Sequence, residues 1–182
     1  MEKKNKSSKK GLFIVGGIIL LLIIALLAPT DKDSSTESSQ VITELKYISG
    51  LSPTDVYLNM EKQGFKTEKL LSKEYGNMWT NKKTIDGMDY TVQTYSSNIN
   101  SVESVRATAM IDVINKDIVA TQQFFMFISS LPYEGSEPQN AMDWVKDNFN
   151  NDKATITIGD VMFTISAPTK QARMLLMEKS TN

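Results

Sequence analysis

Residues 11–28, GLFIVGGIILLLIIALLA, form an unbroken apolar run, and nothing else in the chain limits its architecture so firmly. As a helix the run spans about 27 Å at 1.5 Å per residue, close to the roughly 30 Å hydrocarbon core of a bilayer. Lys3, Lys4, Lys6, Lys9 and Lys10 precede it against the single acid Glu2, and Pro29 and Asp31 follow it. Lysine-rich flanks stay on the cytoplasmic side. The expected arrangement is therefore a cytoplasmic stub (1–10), a transmembrane helix (11–28) embedded in the lipid bilayer, a stalk (29–45) and an extracytoplasmic domain (46–182). A cleaved secretory signal is the rival reading. Signal cores are usually shorter, about 7–15 residues, and cleavage after Ala28 would place Leu26 where a small residue is needed and Pro29 next to the scissile bond. Gly16 and Gly17 are tolerated glycines in lipid, since no pair in the run has the spacing of a GxxxG packing face.

Residues 30–40, TDKDSSTESSQ, contain no apolar side chain and read as a flexible tether. An eleven-residue coil spans on the order of 18 Å, which holds the domain near the membrane surface. The whole chain carries 20 basic and 21 acidic residues; without the stub's five lysines and one glutamate, 15 and 20 remain, so the exported part is five charges negative. With no basic stripe after residue 28, nucleic acid is excluded as the main partner. Cysteine and histidine are both absent, which removes thiol nucleophiles, Ser-His triads, imidazole bases and Cys- or His-ligated zinc. The exported domain must also stand without disulfides. A lysine-rich stub, no cysteine and no lipid-attachment Cys after the apolar run point to the cell envelope of a Gram-positive bacterium. The sequon at Asn5 lies in the stub, where it is not glycosylated.

The domain reads as α+β: an antiparallel sheet of about five strands on helices, in the order α-β-β-β-α-α-β-β-α. Val41–Ile48 is either an edge strand or a short helix. Ser52-Pro53-Thr54-Asp55 predicts a helix start, with Ser52 as cap, Pro53 at the first helical position and Asp55 completing a capping box. Gly64 closes that helix, with Phe65 folding back on Met60. Strands follow at 77–84 and 88–96 around Ile85-Asp86-Gly87. A third strand places Val105, Ala107, Ala109 and Ile111 on one face and Ser104, Arg106, Thr108 and Asp112 on the other. Asn115 caps a second helix through Leu131, and a third carries Ala141, Met142, Trp144, Val145 and Phe149. The hairpin 154–158/161–166 turns at Gly159-Asp160, and a final helix from about Thr169 bears Ala172, Leu175, Leu176 and Lys179. No internal repeat is visible in the sequence.

Candidate sites are few. Outside the anchor the glycines are isolated, so neither GxGxxG nor GxxxxGK[ST] exists, and nucleotide binding is not expected. Read as a calcium loop from Asn148, Lys153 stands where Gly is required and Gly159 where Glu is required, so no metal site is expected. Asp143 and Asp147 share a helical face and are the one local carboxylate pair. The only S-x-x-K spacing, Ser7 to Lys10, lies in the stub. The run Phe124-Phe125-Met126-Phe127-Ile128 covers every side of a helix, either as buried core or as a patch for a partner or acyl chain. Trp79, Tyr75 and Tyr95 either line a groove on the sheet or form cross-strand pairs. The reading is a membrane-anchored, non-catalytic binding module that needs no cofactor and meets a membrane or envelope protein. Its candidate patch is Phe124, Phe125, Phe127, Trp79 and Tyr95. The rivals are a tethered carboxylate-dependent hydrolase of envelope polymer and an exclusion or immunity factor of a mobile element.

Overall fold

A computed structural model describes residues 46–72, 76–110 and 118–181. The stub, the anchor at 11–28 and the stalk at 29–45 lie outside the described residues, as do Tyr75, Ile111, Asp112 and the Asn115 cap. Among the described residues no helix is long and apolar enough to cross a membrane.

The elements run α1 (Pro53–Lys62), β1 (Lys66–Ser72), β2 (Gly76–Ile85), β3 (Met88–Ser96), β4 (Ser104–Met110), α2 (Ile118–Ser129), α3 (Pro138–Asn148), β5 (Lys153–Ile158), β6 (Val161–Thr169) and β7 (Ala172–Lys179). The seven strands make one antiparallel sheet, ordered β1-β2-β3-β4-β7-β6-β5. The class is α+β. Local chemistry sets the first helix as its residues predict: the Ser52 side chain accepts from the Asp55 N–H, and the Asp55 carboxylate takes the Ser52 N–H at 2.9 Å. At its other end Phe65 N–H donates to Met60 C=O and Gly64 N–H to Glu61 C=O, the two bonds of a Schellman ending. The β2–β3 hairpin turns through Asp86 and Gly87, at φ 50° and 81°.

Two expectations are corrected. The chain ends on a strand, not a helix: Ala172, Leu175, Leu176 and Lys179 belong to β7, between β4 and β6. Its Arg-Met-Leu-Leu-Met-Glu-Lys composition favours helix. The register Ala107↔Leu175 and Val105↔Met177 overrides that preference by setting Leu175 and Met177 fully inside the core. The sheet has seven strands instead of five, because β7 was expected as a helix and β1 was not foreseen. Lys66, Glu68 and Lys69 break any apolar alternation there, as suits an edge strand that resists further pairing.

The strand order holds a repetition that the sequence conceals. A helix followed by an antiparallel meander occurs twice, as α1 with β1-β2-β3-β4 and as α3 with β5-β6-β7, and the last strands of the two units pair at the sheet's centre. One apolar cluster joins Val56 and Met60 of α1, Phe125 and Ile128 of α2, and Val145 of α3 to Tyr90, Val92, Val105, Phe163 and Leu175. All three helices therefore lie on one face of the sheet.

Two sets of contacts pin the entering chain and the α2–α3 loop, which meet where the Glu134 N–H donates to the Ser49 C=O at 2.8 Å. Where the chain enters, Ile48 bridges Val102, Lys46 pairs with Glu103 at 3.2 Å, and Tyr47 bonds Ser97 at 2.7 Å. Burial pushes the Glu103 carboxyl up, but hydrogen bonds from Ser97 and Lys46 outweigh it and hold the group below its ordinary value of 4.5. In the α2–α3 loop Tyr133 donates to Ile158 C=O at 2.9 Å, and burial, helped by Asp160 and Glu137, pushes its phenol up to about 12. There Gly159, at φ 60°, lies so close to Gly135 that an added Cβ would stand 2.7 Å from the Gly135 carbonyl oxygen.

Denaturant unfolding should show Gly159→Ala losing about 2–4 kcal/mol and Gly87→Ala only about 1–2, since both carry left-handed strain but only the first meets backbone. The lowered Glu103 pKa makes its contribution complete above the unfolded value and lost as pH falls through the folded value. Glu103→Gln should accordingly flatten that acidic stretch of the stability curve and leave the curve above neutrality unchanged in shape.

Candidate functional site

Helical periodicity divides the aromatic run of α2. Phe125 and Ile128 are fully buried, with Phe125 6.0 Å from the Phe149 ring. Phe124 and Phe127 are half-buried and share a stripe with Ala120 and Gln123. That stripe forms one wall of a groove of about 330 Å³. The opposite wall comes from elements distant in sequence: Gln63 and Phe65 at the end of α1, Lys83 and Ile85 on β2, and Tyr90 on β3.

The floor is aromatic and ordered. Phe65 stacks on Phe124 with ring centroids 5.9 Å apart, and Tyr90 meets Phe124 edge-on at 5.0 Å. Phe124 in turn contacts Phe125 at 5.4 Å, so the floor continues into the core. Such ring pairs add about 0.5–1.5 kcal/mol each beyond area burial and hold the floor in one arrangement. The rim is polar, and among the described residues it carries no acid. Lys83 Nζ donates to Gln63 C=O at 2.6 Å and lies 5.7 Å from the Phe65 ring centroid. It makes no ion pair with a carboxylate among the described residues. Ile85, Ile118 and Val119, all at this end of the domain, are notably exposed, Val119 at 61%.

The remaining predicted patch residues do not converge here. Trp79 pairs with Thr94 and Met78 with Tyr95, so strand alternation puts Trp79 and Tyr95 on opposite faces of the sheet. Trp79 is buried with Lys69 Nζ 5.0 Å above its ring. Tyr95 donates to Gln93 at 3.0 Å and lies beneath the Arg106 guanidinium, 5.4 Å from the ring. Both act in cross-strand packing. Sequence reasoning missed Phe65, Lys83 and Tyr90. The one signal available was the Schellman ending, which folds Phe65 back over the domain.

Other chemistry is sparse. Asp143 and Asp147 are exposed on α3, and Asp143 accepts from Gln139 at 3.0 Å. Among the described residues no three acidic side chains gather as metal ligands. A second cavity of about 310 Å³ lies at the start of α1, beside Ser52, Asp55 and Ser101, but its principal polar groups already serve the helix cap. No family model, curated protein or solved structure matches the chain.

Phe124→Ala should cost about 3 kcal/mol or more in stability, because its ring holds Phe65 and Tyr90 as well as filling space. Gln123→Trp, at an exposed position over the groove, should leave the unfolding midpoint almost unchanged while closing the mouth. Calorimetry of the two variants checks the contrast.

Proposed function

We propose that this chain is a single-pass protein of a Gram-positive cell membrane that presents a non-catalytic binding module on the outer side and associates there with a membrane or envelope component. The aromatic groove between α2 and the β2–β3 hairpin carries this reading. Its floor is rigid and apolar, yet no side chain of the described domain fills it. Fixed apolar surface with a few polar groups at the rim is the form that ligand sites take, and the volume falls at the small end of their range. The apolar run at 11–28 and the short polar stalk supply the setting, since a tethered module meets its target at high effective concentration in the plane of the membrane. Asp143 and Asp147 lie exposed on α3, outside the groove's lining, and support no hydrolytic role.

The reading is tested by crosslinking the full-length chain in its native membrane and identifying what co-purifies, with residues 1–40 alone as control. A specific envelope component should be recovered with the full chain, lost with the control and depleted several-fold by Gln123→Trp. Recovery unaffected by Gln123→Trp, or the same recovery with residues 1–40 alone, would contradict it.

A further inference from the structure

Resting on the reading of the groove as a binding site, we infer that its ligand is a single-chain anionic amphiphile, whose apolar tail lies along Phe65, Phe124 and Phe127 and whose head meets the Lys83 ammonium. The exported part of the chain is net negative by five charges, yet among the described residues the only charged side chain lining the groove is a cation. That cation is held but not neutralised: its bond is to a backbone carbonyl at the end of α1, where a helix terminus favours positive charge. Gln63 and Gln123 share the lining with it, and among the described residues no carboxylate does. A carboxylate or phosphate head would gain a charge-assisted bond there that a neutral head could not make, whereas a cationic head would be repelled. The groove's aromatic wall suits a flexible alkyl chain, which can lie along the stacked rings of Phe65 and Phe124.

The test uses the full-length chain in phosphatidylcholine nanodiscs, exposed to diazirine-bearing laurate or diazirine-bearing dodecanol, photolysed and mapped by mass spectrometry. Laurate adducts should concentrate on peptides carrying Phe65, Phe124 and Phe127 and exceed dodecanol adducts there. Lys83→Met should cut laurate labelling about tenfold and leave dodecanol labelling unchanged, the loss expected for one charge-assisted hydrogen bond. Lys83→Arg should restore the laurate signal, and Gln123→Trp should reduce both probes. Amide exchange of α1 confirms that each variant is folded. Equal labelling by the two probes, indifference to Lys83→Met, or adducts scattered over the chain would overturn the inference. If laurate fails to label the groove while Gln123→Trp still depletes the co-purifying component, the amphiphile assignment falls and the interaction module stands, with a protein segment as the occupant. Loss of neither signal on plugging the groove removes both.

Discussion

The pairing of β4 with β7 is the constraint on which the domain depends. Seven residue pairs, from Ser104↔Glu178 to Met110↔Ala172, join two helix-and-meander units whose central strands lie far apart in sequence. Neither unit closes a core alone. Val105 and Ala107 are small, and Met177 and Leu175 opposite them are large, so the helices can approach the sheet's centre without leaving a void. Because the side-chain period along a strand is two, a one-residue slip in this ladder would turn Leu175 and Met177 to the other face and expose the floor under α2 and α3. Closing so long a loop costs entropy before any contact is gained, which makes this ladder the late, cooperative step of folding.

From that ladder the functional geometry follows. β4 seats α2, and α2 lays one stripe into the core through Phe125 and Ile128 and a second toward the end of α1 and the β2–β3 hairpin. The groove is the seam between the first unit and the helix that links it to the second. At its edge α1 ends at Lys62, and Lys83 caps that end through the Gln63 carbonyl.

What was legible in the sequence was the chemistry of ends and turns. Ser52, Pro53 and Asp55 opened α1, Gly64 closed it, and Asp86-Gly87 and Gly159-Asp160 turned the hairpins, because each uses a short-range rule that tertiary packing leaves alone. The strands at the sheet's limits were not legible, for opposite reasons. β1 is too charged to alternate, being an edge, while β7 is apolar on both faces and made of helix-forming residues, being central. The aromatic run of α2 was visible as unusual, but its division into core and groove needed the helix orientation. Phe65, Lys83 and Tyr90 could be joined to it only by the fold, since no local pattern relates residues so far apart.

On the proposed reading, the groove is occupied when the full-length chain is held in a native membrane. Hydrogen–deuterium exchange of the full-length chain, compared between native membrane vesicles and synthetic phosphatidylcholine nanodiscs, measures this directly. Exchange should be slower in the native setting at residues 63–65, 83–90 and 118–127, with the distal β5–β6 hairpin unchanged. Identical exchange in the two settings across those segments would contradict it.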